Sequence, residues 1–290
     1  SRHFSIRFLF LFTMLLFTAC QPEPPVPEDA LTHVPSDVSA LAIMRPQQMM
    51  DKANFETVKE MEFYQEIIGK ATNDNQLLGE VLADPAHSGV DLTQNAYLAL
   101  DLRFGGEDSE AAVFLFSLRD AAAFEKFVES TELEVQPAAT GYQYSKLHDR
   151  EMVAWNEQVA VFVAGNPGEG PEAQVRRYFE TDPAASLAQN LNLRRCLEEP
   201  FDMAVWLSSD QLAEDISGEA LDQLGVLKRE DLQGNYLHNY VFFEAGQVRS
   251  QSRFSIKKTV RSALPLSLRG STNAEATQPL TSATLKISSS

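Results

Sequence analysis

The part of this 290-residue chain best equipped to move a proton is His148-Asp149-Arg150-Glu151, which sets an imidazole among carboxylates as half of a general-base pair. The same four residues lie between two β-rich runs, where a polar turn accounts for them equally well. Cys196, in Leu193-Arg194-Arg195-Cys196-Leu197, has two arginines beside it, and neighbouring cations favour a thiolate. No histidine follows at a suggestive spacing, which points to a buried structural cysteine. His3, His33, His87, His148 and His238 include no pair three to five residues apart, so a zinc cluster is not expected. Gly165-Asn166-Pro167-Gly168-Glu169-Gly170 lacks the lysine and hydroxyl of a phosphate-binding P-loop, and no Gly-x-Ser-x-Gly elbow occurs. Adjacent acids such as Glu107-Asp108 and Glu198-Glu199 read as solvated surface. Tyr142, Tyr144, Trp155, Phe162, Tyr236, Tyr240, Phe242 and Phe243 fall on predicted strands, where they either form a binding platform or pack under helices, and packing is favoured. The expectation is a chain without a catalytic constellation, a cofactor or a metal.

The second cysteine, Cys20, has a different setting. Arg2, His3 and Arg7 precede an apolar run over residues 8–17, followed by the small residues Thr18 and Ala19. About ten apolar residues are too few to span a hydrocarbon core that needs roughly twenty. Phe17-Thr18-Ala19-Cys20 resembles the lipobox of bacterial lipoproteins, in which the cysteine is diacylated and becomes the mature N-terminus. That resemblance makes residues 1–19 a signal peptide and Cys20 the lipid attachment site. The proline-spaced acidic stretch over residues 20–30 reads as an extended, solvated tether. Two or three acyl chains would anchor stably where one binds only marginally.

Composition bounds the rest. A hydrophobic content of 44% with 22% charged residues is that of a globular protein. A net charge of −17 argues against a nucleic-acid groove and against adhesion to anionic headgroups. With Cys20 acylated, Cys196 has no disulfide partner, and stability must come from packing.

The elements that would position these residues alternate in type. Val34-Pro35-Ser36-Asp37 leads into a strand over 38–44, and Pro46 suits the first turn of a helix. Helices are expected over 56–71 and 77–82, then a hairpin over 96–102 and 111–118 around Gly105-Gly106. Asp120 can cap a helix carrying Phe124, Phe127 and Val128. Strands around Tyr142 to Leu147, 152–155 and 159–164 follow, then helical pieces as far as Leu197. Pro200-Phe201-Asp202, with strands over 203–207, 236–244 and 248–256, repeats the opening order. The reading is an α+β fold, with antiparallel sheets, helices packed on one face and two similar strand-helix-hairpin units. The first unit spans 31–190, the second, incomplete one 191–256, and 257–290 reads as a low-complexity or disordered tail.

Val34-Pro35-Ser36-Asp37-Val38-Ser39-Ala40, Ser88-Gly89-Val90-Asp91-Leu92, the segment Leu118-Arg119-Asp120-Ala121-Ala122-Ala123-Phe124-Glu125-Lys126-Phe127 and Val153-Ala154-Trp155-Asn156, together with the lipobox, resemble envelope lipoproteins of the Bacteroidota catalogued as domains of unknown function. The resemblance implies an outer-membrane lipoprotein and transfers no catalytic residue. The expected function is a lipid-anchored, non-catalytic binding or assembly module, its partners the membrane and an envelope protein or glycan. An envelope hydrolase built from dispersed acids and His148 is the alternative.

Overall fold

The apolar run that follows Pro35-Ser36-Asp37 becomes β1 (Ala40–Met44), the strand from which the sheet grows in both directions. This is a computed structural model, and it describes residues 23–74, 76–102, 110–138, 140–166, 170–210, 229–245, 247–256 and 273–279. On one side of β1 lies β2 (Ala96–Leu102), with Ala42 opposite Leu98. On the other side lies β8 (Met203–Ser208), with Ala42 opposite Val205. Beyond β2 come β3 (Glu110–Ser117), β7 (Val159–Asn166), β6 (Glu151–Trp155), β5 (Gln143–His148) and the two-residue β4 (Gln136–Pro137). Beyond β8 come β9 (Tyr236–Glu244), β10 (Gln247–Ser255) and β11 (Asn273–Pro279). Among the described residues, eleven strands form one sheet, and each of their pairings is antiparallel.

The pairing order places the two candidate strand-hairpin groups side by side. β1 and β8 run antiparallel at the centre, and each is followed by helical structure and then by a hairpin that pairs outward from it: β2–β3 from β1, β9–β10 from β8. Each of the two central strands thus has a hairpin beside it in the same sheet.

Helices form where capping and patterning meet. Pro46 opens α1 (Pro46–Lys52) at its first turn. The helix expected over 56–71 is divided into α2 (Phe55–Glu60) and α3 (Glu62–Asp74). Met61 between them has extended backbone (φ −69°, ψ 137°), ends α2, and offers its carbonyl to the amides of Tyr64 and Gln65, so one residue caps both helices. α4 (Gln76–Ala83) follows. Asp120 accepts from the Ala123 amide and starts α5 (Ala121–Ser130), as its sequence position predicts. Later come α6 (Pro171–Phe179), α7 (Leu191–Glu198) and the short α8 (Arg229–Leu232).

Strand alternation divides the core between the two faces. Met152, Ala154, Val159, Val161 and Val163 join Leu41, Ile43, Tyr97, Leu115 and Trp206 in the larger cluster, beneath α6 and α7. Their neighbours Val153, Trp155 and Ala160 point the other way and pack with Phe124 and Val128 of α5. Helical cover is therefore present on both faces, the larger part on one.

One further stretch departs from the sequence reading. Within the expected tail, Asn273–Pro279 pairs with β10, from Gln247 opposite Pro279 to Arg253 opposite Asn273. Backbone pairing to an open edge needs no apolar periodicity, which is why composition did not reveal it. The Gly105-Gly106 turn, the helix expected after Asp210, the signal peptide and Cys20 lie outside the described residues.

Candidate functional site

α7 is the point at which most of the chemistry-bearing side chains meet. Asn190 caps it, accepting from the amides of Asn192 and Leu193 through Oδ1. At its other end Arg45 donates to the carbonyls of Leu197 (2.8 Å) and Phe201 (3.3 Å) and lies 3.7 Å from the centre of the Phe201 ring. A guanidinium there complements the negative end of the helix and is held by the aromatic face.

The inward side of α7 starts a buried polar chain. Asn192 Oδ1 accepts from Trp206 Nε1 (3.2 Å) and from His238 Nε2 (2.6 Å). With Nε2 as donor, His238 Nδ1 is left to accept from the Tyr240 hydroxyl at 3.1 Å, and Tyr240 also shares a hydrogen bond with Cys196. Cys196, Trp206 and Tyr240 are buried almost completely, and His238 nearly so. Burial pushes the Cys196 thiol up to about 11, against the weaker pull of the Tyr240 hydrogen bond and the Arg45 charge. Burial raises Tyr240 as well, and it lowers His238, with the Arg253 charge acting in the same direction. Thiol, phenol and imidazole are thus each held in the neutral form at pH 7. A thiolate nucleophile is what this arrangement disfavours, despite its resemblance in composition to a Cys-His relay.

A second buried group ties the two repeat units together. Asp202 is fully buried and accepts from Lys52 Nζ (2.8 Å), Gln48 Nε2 (2.6 Å) and the Phe243 amide (2.6 Å). It thereby joins α1 of the first unit to β9 of the second.

The outward side of α7 holds the N-terminal segment. Arg194 is only 7% exposed, and its guanidinium donates to the Pro24 carbonyl and pairs with the Glu23 carboxylate. Pro24 is itself buried. Further along, Asp29 accepts from the Tyr97 hydroxyl (2.6 Å) and the Leu31 amide (3.0 Å), and Ala30, Leu31 and Val34 enter the main core. The stretch over 20–30, expected as a solvated spacer, is therefore docked at both ends of its described part. The proline pattern says nothing of a buried arginine 171 positions away that holds this stretch.

An open cleft of about 410 Å³ beside this strap is lined by Asp29, His33, Asp91, Ser117 and Glu157, among others. A smaller one of about 220 Å³ involves Asp37, Asn190, Trp206 and Asp210. Among the described residues, no group of three or more His, Cys, Asp or Glu could hold a metal ion.

The residues singled out from sequence are scattered. His148 ends β5 opposite Glu151 in register, at the reversal into β6, the position of a turn. Tyr142 stacks on Phe179 at 4.4 Å, Tyr236 on Trp206 at 5.7 Å, and Trp155 meets Phe124 edge-on at 5.6 Å. These aromatics pack, as favoured, and form no shared platform. Cys196 is buried, as expected. Asn192, Arg194, Asp202 and His238 were not legible as partners. The one signal was Asp202 in the repeated Pro-x-Asp turn, which marks a strand entry and not a charge network.

Fold and site define an antiparallel α+β protein with a buried polar hub and a latched N-terminal strap. Residues 32–264 match the family model described as Domain of unknown function (DUF4836), and the chain belongs to that family. None of the curated proteins matches it significantly. Solved structures of TP0453 are similar: crystal form I at 11% identity over 80% of each chain, with a TM-score of 0.42. Crystal form III gives 12% identity over 88% of this chain and 96% of that one, with a TM-score of 0.43.

Proposed function

We propose that this chain is a lipoprotein of the bacterial outer membrane, acylated at Cys20, that acts as a non-catalytic binding or assembly module on an envelope protein or glycan. The observation that carries the non-catalytic part is the state of the α7 hub. Cys196, Tyr240 and His238 lie in one hydrogen-bonded chain that ends on Asn192, and they are buried and neutral. The anchoring part is supported by the order of basic start, short apolar run, small residues and Cys20. Palmitate labelling in cells tests the anchor: incorporation is expected in the native chain and lost in Cys20→Ala, which should also leave the membrane fraction. Label retained in that variant overturns the acylation site. Mild crosslinking followed by purification tests the module reading, with one envelope component recovered reproducibly as the expected result. Turnover of a glycan, ester or peptide substrate that disappears in His148→Ala would replace it with the hydrolase reading.

A further inference from the structure

We propose that the α7 face, where Arg194 grips Glu23 and Pro24, is the membrane-facing side of the domain, held against the lipid surface by a leash only three residues long. The proposal rests on the acylation of Cys20 put forward above and adds an orientation to it. Read as a free tether, residues 20–30 would let the domain drift and tumble over some tens of ångströms. The latch removes that freedom. Arg194 is buried, and among the described residues its hydrogen-bond partners are the Pro24 carbonyl and the Glu23 carboxylate. Pro24 is buried at the same place. From Cys20 to Glu23 an extended chain reaches about 11 Å at most, less than the width of one helix pair. Whatever surface holds Cys20 must then lie within that distance of α7.

The outer row of α7 suits such a position. Leu191 is 37% exposed, and Arg195 and Glu198 lie in the same row at the next turns. One apolar side chain and a balanced pair of charges face outward there, in a chain whose net charge of −17 would otherwise hold it off an anionic bilayer. Among the described residues, the N-terminal contacts at Glu23 and Pro24 lie on Arg194 of α7 and not on α5 across the sheet.

The test uses the full acylated protein in phosphatidylcholine vesicles doped with a nitroxide-headgroup lipid. A fluorophore is placed at Leu191→Cys on α7 or at Glu129→Cys on α5, an exposed site on the far face, while the buried Cys196 stays unlabelled. Contact quenching about threefold stronger at 191 than at 129 is expected, given a leash of about 11 Å. Inserting about ten Gly/Ser residues between Pro22 and Glu23 leaves the latch intact and adds about 17 Å of flexible reach, which should bring the two positions to equal quenching. Equal quenching without the insertion, or an undiminished difference with it, overturns the proposed orientation while co-flotation of the protein with the vesicles upholds the anchor. Failure to co-float overturns both.

Discussion

Asp202 and His238 bear the clearest consequences at the scale of single residues. Asp202 is fully buried and satisfies three donors drawn from both halves of the chain. Asp202→Ala leaves the Phe243 amide without its carboxylate acceptor and removes the partner of Lys52, while Gln48 keeps the Phe201 carbonyl, and should cost about 2–4 kcal/mol, since a buried donor stripped of its acceptor bears the desolvation penalty. Denaturant midpoints of variant and native chain measure the loss, and Asp202→Asn, which keeps an acceptor, should lose less. His238 gives a pH signature. Its pKa is lowered in the folded state, chiefly by burial, so the unfolded chain takes up the proton first as pH falls. Stability should be level above about pH 6.5 and decline below it, with a limiting slope of about 1.4 kcal/mol per pH unit for one proton. His33 is lowered by burial in the same sense and adds to the decline. Denaturation at graded pH should show a shallower acid limb in His238→Gln. Neither residue announced itself in the sequence. A buried carboxylate and a neutral imidazole look like any others until the strands that bring their partners are paired.

At the scale of elements, most of the secondary structure was legible, because its signals are local. Asp120 capping α5, Pro46 opening α1 and the alternation in β6 and β7 each depend on residues within one turn or one strand. Met61 defeated the helix pattern because an exposed apolar residue has no core contact to keep it in register, and its backbone turned to capping. Gly89 shows how one such element is seated. Its φ of +78° is left-handed, its carbonyl accepts from the amides of Arg119 and Asp120, and a Cβ there would lie 2.2 Å from the Asp120 carbonyl and 2.7 Å from the Phe124 nitrogen. Gly89→Ala should therefore cost about 2–4 kcal/mol, combining strain at positive φ with displacement of the first turn of α5. Asp120→Ala removes only the cap and should cost about 1 kcal/mol. Thermal unfolding of the two variants distinguishes backbone collision from the loss of one hydrogen bond. The pair is not expected to be additive, because both act on the same turn.

At the scale of the whole molecule, the sequence suggested two units divided near residue 190, and the pairing makes each depend on the other. β1 is an interior strand only because β8 lies beside it, and their partners are some 163 positions apart, from Ala40 opposite Leu207 to Met44 opposite Met203. Such pairing leaves no local trace, since either strand would show the same apolar pattern at an edge. The main core crosses the seam too: Leu41 and Tyr97 from the first unit share a cluster with Cys196, Phe201, Trp206 and Tyr240 from the second. A fragment of residues 31–190 would keep β1 to β7 but expose the β1 edge and lose α7 from the core cluster that holds Leu41 and Tyr97. An uncovered apolar edge strand pairs with copies of itself. Expressed alone, residues 31–190 should be recovered as aggregates or edge-paired oligomers, whereas the full chain should be monodisperse and unfold in one transition by fluorescence and by circular dichroism. A soluble, monomeric fragment with a cooperative transition of its own would mean that the β1–β8 seam joins two finished domains. The burial of Tyr97 and Trp206 on either side of that seam, both at 1% exposure or less, argues that neither half is finished alone.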